Sequence, residues 1–348
     1  MRLFGFSLLR NGVKYDYSFH ESLTSLSGIT EKIYLALGEG EDNTEEVLQQ
    51  YDFLHIIPTV WDHNIRKSGL ILSQQTNIAL DALRKDFDQE PGTWGFYLQA
   101  DEVINEEEYE KMKQDIAYAN EHGYDAVRFR YLHFWSSHNK IAIDFQWYPQ
   151  EIRAVRLKSN IKSCLDAQGF EGFEKVYDSD AFIYHYGHAR SDEGYEEKYK
   201  EFHKWWHTSE KAIARSKRKF EKRTSERTLK LLPYFGTHPS LMKTRIEEAN
   251  DVFEQAPVKA VYILADKSLF SDEFIAKINA EQIHWVTEDN YKKAPKDQLV
   301  ILRPGFWQKL RYKSEVPLKT HSDLARPWTS ETILTLKLAE KGIGLKKI

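Results

Sequence analysis

Four short segments carry residue types that could do chemistry. The most telling is Trp94-Gly95-Phe96-Tyr97-Leu98-Gln99-Ala100-Asp101-Glu102. A hydrophobic strand that ends in carboxylates delivers them to the C-terminal edge of a sheet. Adjacent carboxylates point in different directions, so one can hold a hard divalent ion while the other binds protein or substrate. Magnesium or manganese needs only one or two carboxylates when substrate phosphates complete its shell. The same residues would also serve as an acidic helix-capping turn.

The second segment is Tyr184-His185-Tyr186-Gly187-His188-Ala189-Arg190. It offers two imidazoles around a glycine, then a guanidinium. Imidazole suits a transition metal and arginine suits phosphate. Taken singly, either histidine reads as an ordinary core or surface residue. The third segment, Gln74-Gln75-Thr76-Asn77, opens a helix after Gly69, where polar side chains reach a ligand or simply cap. The fourth, Arg10-Asn11, closes the first strand and reads as a base or phosphate contact, or as a polar turn.

The elements that must position these groups follow from hydrophobic periodicity. Strands are expected over residues 4–9, 32–37, 53–57, 94–98 and 126–131. Helices are expected over 16–26, after Asn43-Thr44, over 73–85, and from Asn105 to Gly123. This alternation implies an α/β fold with a mostly parallel sheet flanked by helices. Ligands of such sheets bind beyond the strand C-terminal ends. That rule selects the 38–44 and 99–102 turns before any motif is considered. Residues 136–190 read as shorter strands (140–147, 152–157, 181–186) and loops. From Glu193 the chain turns helical and charged, with nine Lys or Arg against two acids over 211–230. After Gln255-Ala256-Pro257 come short apolar strands at 258–264, 283–287 and 299–302. The organisation expected is a nucleotide-binding catalytic domain over 1–192, a basic helical extension over 193–256, and a small C-terminal α/β domain over 257–348.

Composition narrows the function. The 348 residues carry a net charge of -4, which argues against a generic nucleic-acid binder. A single cysteine, Cys164, excludes an intrachain disulfide framework and leaves carboxylate and imidazole as metal ligands. No stretch is long and apolar enough for a transmembrane helix, and the first residues read as a strand rather than a signal peptide. A reduced, cytoplasmic setting is the expectation. Aromatic residues make up 14% of the chain, and Trp94, Tyr97, Trp147, Tyr148, Tyr184 and Tyr186 fall on segments expected to line the cleft.

The order of these features resembles family 2 glycosyltransferases with a GT-A, Rossmann-like fold. Leu9-Arg10-Asn11-Gly12 is similar to the family's Arg-Asn-Glu, without the acid. Gly38-Glu39-Gly40-Glu41-Asp42-Asn43-Thr44 is similar to its Gly-Ser-Thr-Asp-x-Thr turn, with Glu39 standing in for the strand-end Asp. Thr76-Asn77-Ile78-Ala79-Leu80 matches its Arg-Asn-x-Gly/Ala-Leu helix start. Gln99-Ala100-Asp101-Glu102 matches its Asp-x-Asp-Glu turn, with Gln in place of the first Asp. Tyr148-Pro149-Gln150-Glu151-Ile152-Arg153 looks like its Pro-x-x-Arg-Leu-Phe segment, and Tyr184-His185-Tyr186-Gly187 like its His-Tyr-Gly segment. Gly236-Thr237-His238-Pro239 recurs later, and the likeness spans about residues 1–245.

The resemblance implies an inverting transfer of sugar from a UDP- or GDP-sugar to a glycan or lipid-linked acceptor in polysaccharide biosynthesis. It implies Mn2+ or Mg2+ at Asp101 with His185 and, less directly, His188. Donor contacts would come from Arg10, Asn11, Glu39, Asp42, Asn77, Gln99, Arg153 and Arg190. Glu151 and Asp144 are the candidate general bases. The Lys204-Trp205-Trp206-His207 stretch of the basic extension reads as a solvated helix or as a peripheral contact with the inner face of a membrane. The C-terminal part would serve dimerisation, giving a homodimer, or acceptor choice. Two other readings compete. One is a GT-A protein that binds nucleotide-sugar but has lost catalysis, motivated by Gln99 and the missing strand-end acid. The other is a sugar nucleotidyltransferase, whose glycine-rich basic loop is not evident after the first strand.

Overall fold

The computed structural model describes residues 1–62, 64–65, 69–87, 92–142, 147–202, 231–234, 237–249, 258–278 and 280–301. The chain divides into two compact units, the first drawn from 1–137, 148–228 and 238–249. The second is drawn from 138–147, 229–237 and 250–348.

The first unit opens with β1 (Arg2–Leu9), α1 (Phe19–Ser27), β2 (Ile33–Gly38), α2 (Thr44–Leu48), β3 (Leu54–Thr59) and α3 (Leu70–Phe87). It continues with β4 (Thr93–Tyr97), β5 (Glu102–Ile104), α4 (Tyr109–Glu121) and β6 (Ala126–Trp135). Strand β7 (Lys140–Ala142) belongs to the second unit. The first unit resumes with β8 (Gln150–Arg156), β9 (Lys162–Cys164), β10 (Gly169–Glu171) and β11 (Val176–His188), then α5 (Asp192–Phe202) and, later, α6 (Lys243–Glu248).

Strand β1 lies between β2 and β4, and pairs with both in parallel. Strand β3 extends the sheet beyond β2, again in parallel. On the other side β8 is antiparallel to both β4 and β6, β11 runs parallel to β6, and β5 lies antiparallel on β11. Alternation along each strand sorts two cores. Leu3, Leu35, Trp94 and Phe96 face the cluster that includes Leu23 and Leu26 of α1 and Met112 and Ile116 of α4. Phe4, Phe6, Tyr34, Ala36 and Tyr97 face Ala79, Leu80 and Leu83 of α3. The sheet is thus covered on both faces. That is the mostly parallel, Rossmann-like α/β arrangement expected.

The chain steps outward from β1 to β2 and β3, then returns to β4 on the opposite side of β1. This reversal is a topological switch point, and the crevice beyond the carboxyl ends of β1 and β4 is the favoured ligand position. Four of the six aromatics expected to line a cleft are core instead, while Trp147 and Tyr148 stay partly exposed. Trp94 and Tyr97 are fully buried, and Tyr184 and Tyr186 nearly so. Trp94 Nε1 donates to Asn120 Oδ1, and the Thr76 hydroxyl donates to the Tyr97 hydroxyl. Helices on both faces of β4 turn both of its side-chain rows into core.

In the second unit, β7 pairs antiparallel with β12 (Leu231–Pro233). Separately, β13 (Val258–Leu264) lies between β14 (Ala280–Val286) and β15 (Leu299–Ile301) in a parallel sheet, with α7 (Asp272–Lys277) between β13 and β14 in sequence. The small core there centres on Val261, Ile263, Phe270 and Val300. Asp144, Lys204-Trp205-Trp206-His207 and residues 302–348 lie outside the described residues.

Candidate functional site

At the switch point two turns lock together. Asn11 takes a positive φ of 53°, a conformation asparagine tolerates better than most residues. Its Oδ1 accepts from the Glu41 amide at 2.7 Å, and its side-chain amide donates to the Tyr15 hydroxyl at 3.3 Å. Asp42 accepts from the Lys14 amide at 2.7 Å and from the Thr44 amide at 3.1 Å. Thr44 Oγ1 accepts from the Val13 amide. Arg10 Nε donates to the Glu39 carbonyl at 2.9 Å, and its guanidinium stands 5.7 Å from the Trp61 ring. The structure therefore brings Arg10, Asn11, Glu39 and Asp42 together in two interlocked turns. Asn11 and Asp42 act first on backbone amides; Glu39 is exposed.

The 99–102 turn splits its two acids between separate ionic centres. Glu102 is fully buried against a fully buried Arg153. Arg153 Nη2 and Nε donate to its two oxygens at 2.8 and 3.0 Å, and the Tyr131 hydroxyl adds a third bond at 2.9 Å. Arg153 Nη1 is taken by the carbonyls of Ile152 and Gln168. The guanidinium expected to contact donor is thus an internal strut. Asn77 is another: its amide makes a two-way pair with the Ser163 backbone, each bond 2.9 Å. Gln99 hands its Nε2 to the Ala167 carbonyl at 3.1 Å.

Asp101 forms the second centre. Its Oδ2 accepts from Arg190 Nη2 at 3.0 Å and from Lys198 Nζ at 2.9 Å. All three side chains are nearly buried. Arg190 also donates to the Gly187 carbonyl at 3.0 Å and the Tyr15 carbonyl at 2.7 Å. Both cations sit over the Tyr17 ring, 4.6 and 4.7 Å from its centre. Burial alone would raise the Asp101 carboxyl, but Lys198, His185 and Arg190 outweigh it and hold it well below the usual carboxylate range.

His185 faces the other oxygen, with Nε2 3.8 Å from Asp101 Oδ1. Its protonation follows from the neighbours. Burial first, then the nearby cations, lowers its pKa to about 4, and burial lowers that of His133 to about 3. Both rings are neutral at pH 7. His133 Nε2 lies 2.7 Å from the Tyr148 carbonyl, which can only accept, so that nitrogen carries the proton. His133 Nδ1 is then an acceptor, and the 2.9 Å contact to His185 Nδ1 requires the proton on His185. His185 Nε2 is left as a lone pair turned toward a carboxylate.

Strand β11 makes this geometry through an irregularity. Its register against β6 shifts between His185 and His188. A Cβ on Gly187 would come within 2.5 Å of His185 Nε2 and 2.8 Å of Asp101 Oδ2, so glycine is required. His188 lies apart, its ring 4.7 Å from Trp135 and 5.6 Å from His185.

These residues do not fit a divalent cation. Asp101 and His185 supply two donor atoms, and the carboxylate is already shared by two cations. Among the described residues no group of three His, Cys, Asp or Glu side chains is placed to hold a metal.

Lys198 is the residue the motifs missed. Its signal was helical spacing: on α5, Gly194, Tyr195 and Lys198 form the buried stripe, so a lysine stands where an apolar residue belongs. Glu151, on β8, accepts from Gln168 Nε2, and burial raises its carboxyl above the ordinary value.

No protein-family model matches the chain, and no curated protein matches it. Among solved structures, it is similar to S. aureus TarS at 15% identity and a TM-score of 0.34, covering 64% of this chain and 43% of that one. It is also similar to S. aureus TarS 1-349 in complex with UDP, at 16% identity and a TM-score of 0.34, over 57% and 64% of the two chains. A third similarity is to a putative glucose-1-phosphate thymidylyltransferase from Bacillus anthracis in complex with a sucrose. There the identity is 12% and the TM-score 0.28, over 73% of this chain and 97% of that one. The chain thus spans less than half the length of the first of these structures.

Proposed function

We propose that the chain is a glycosyltransferase that takes a nucleotide-sugar donor and passes the sugar to an acceptor hydroxyl. One observation carries this reading. The three turns that resemble donor-binding segments, at Arg10, at 39–44 and at 99–102, converge on the crevice beyond β1 and β4, beside the buried centre where Arg190 and Lys198 meet Asp101. An anionic nucleotide is the ligand class that such a crevice favours. In this reading Arg10 and the backbone of the Glu39–Thr44 turn meet the nucleoside. The Asp101 centre lies toward the diphosphate. Glu151 is the base that withdraws the acceptor proton; its raised carboxyl suits that task, because a base poised nearer working pH accepts a proton more readily.

The test is a thermal-shift screen of UDP-, GDP-, CMP- and dTDP-sugars, followed by assay of nucleoside diphosphate release with mixed glycan acceptors. Stabilisation by one nucleotide class and acceptor-dependent release are expected. If no nucleotide raises the melting temperature, the reading fails. A second reading, a donor-binding protein without turnover, is favoured by Gln99 being committed to the Ala167 carbonyl. It predicts binding with no release against any acceptor.

A further inference from the structure

We propose that Gln168 is the positioning residue for the Glu151 base, and that the 99–102 turn serves the reaction by holding the segment that carries Gln168. The inference rests on the reading of Glu151 as the base given above. It goes beyond it by naming what aims that carboxylate. It also gives Gln99 and Arg153 a task that needs no contact with the donor.

Glu151 is half-buried on β8, and a side chain of its length has several torsions to settle. Gln168 Nε2 donates to its Oε1 at 2.5 Å. A carboxylate only accepts, so this bond favours the ionised base and fixes one of its oxygens. The other oxygen, Oε2, takes no hydrogen bond among the described residues and is not closed off from solvent. A Cβ on Gly169 would stand 3.3 Å from it, so the glycine leaves that oxygen room to receive a proton. As Oε2 takes the proton, the acceptor O–H bond breaks and its electron pair forms the new bond to the sugar. The old bond of the sugar breaks with its electron pair leaving on the nucleoside diphosphate.

Gln168 is itself held by side chains. Leu165 and Ala167 take positive φ of 50° and 61°, which residues with a Cβ rarely adopt, so the turn between β9 and β10 needs support. Three consecutive carbonyls receive it. Gln99 Nε2 donates to that of Ala167 at 3.1 Å, Arg153 Nη1 to that of Gln168 at 2.7 Å, and Ser163 Oγ to that of Gly169 at 3.5 Å. Two of these donors lead back to the 99–102 turn. Gln99 belongs to it, and Arg153 is gripped by Glu102 at 2.8 and 3.0 Å. The Gln99 amide also donates to Glu102 Oε2 at 3.0 Å, which ties the two routes together. Arg153 is the extra residue where the register of β8 slips against β6, with Ala154 opposite Val127 and Ile152 opposite Arg128. The charged and titratable groups around Glu151 are Arg153 on its own strand, Glu102 on β5, Arg128 and Tyr131 on β6, Tyr148 before β8 and Cys164 on β9. Among the described residues only Gln168 donates a hydrogen bond to its carboxylate.

Carbon-13 NMR titration of the glutamate carboxyls in the full chain tests this, with the Glu151 signal assigned by its loss in Glu151→Gln. Gln168→Met is expected to make Glu151 an acid weaker by about tenfold, the effect of losing one bond to the anion. Gln168→Lys, which offers a charged donor, is expected to make it a stronger acid. Gln99→Ala is expected to act in the same direction as Gln168→Met and by less, since it frees only the Ala167 carbonyl. The acid limb of UDP release from UDP-sugars, or of GDP release from GDP-sugars, is expected to move with the carboxyl, while the donor KM stays within about twofold. An unchanged Glu151 titration in both Gln168 variants, or a shift in the same direction in both, overturns the inference and leaves the base reading standing. Release by Glu151→Gln as fast as by the unaltered protein overturns the base reading, and this inference with it.

Discussion

Asp101 and Glu102 are neighbours in sequence and both are buried, yet they belong to different kinds of centre. Glu102 meets one guanidinium in a two-point pair, fully dry, with a tyrosine hydroxyl and the Gln99 amide adding further bonds. Its charge is matched by Arg153, and its side-chain partners lie on β6 and β8, with the Gln99 amide of its own turn as a further donor. Asp101 meets two cations through a single oxygen, and those cations come from the end of β11 and from α5. A matched pair inside the sheet adds rigidity and selects no ligand. A carboxylate at the sheet edge that gathers cations from two separate elements is a place where a ligand can act on those same charges.

The sharpest way to break this comparison is to remove one acid at a time. Glu102→Gln strands a buried guanidinium, so a loss of about 3–5 kcal/mol in urea unfolding is expected. Nucleotide affinity of the fraction that folds should be unchanged. Acid is the next lever. His185 titrates near 6.5 when unfolded and near 4 when folded. Its contribution is therefore fully present above 6.5 and is lost as pH falls through 4, a loss of roughly 3 kcal/mol. His133 acts in the same direction, with its folded value near 3. Unfolding midpoints measured between these limits should fall as pH falls. A flat profile would show that the rings are not buried as neutral species.

Gly187→Ala places a methyl against His185 and Asp101, so a cost of about 1–3 kcal/mol is expected, with weaker nucleotide binding measured by calorimetry. The smallest effect is expected from Asp101→Asn, about 1–2 kcal/mol in urea unfolding, because Arg190 keeps the Gly187 and Tyr15 carbonyls and both cations keep the Tyr17 ring. Equal costs for Asp101→Asn and Glu102→Gln would dissolve the distinction between the two centres.

The sheet was legible because burial on both faces leaves continuous apolar runs, as in Ile33–Gly38 and Thr93–Tyr97. The three-residue strands β5, β9 and β10 were not, since three residues carry no period. Within the site, the turn at 99–102 and the His185–Arg190 segment could be read from residue types. Their partnership with Lys198 could not, because it joins positions 97 apart in sequence. Arg153 and Asn77 were read as ligand contacts for a related reason. A polar side chain facing a buried partner and one facing a ligand look alike until the partner is placed. The aromatic residues misled in the same way, since ring content does not say which side of a strand is core.

The hydrogen bonds running from the Tyr148 carbonyl through His133 to His185 have a direction. Each proton is held on the side nearer Tyr148, and a carbonyl cannot reverse that order. The relay therefore cannot deliver a proton to Asp101, unlike an imidazole backed by a carboxylate. Any proton that His185 accepts on Nε2 must arrive from the crevice and leave by the same route, so the two-histidine chain works as a stop and not as a wire.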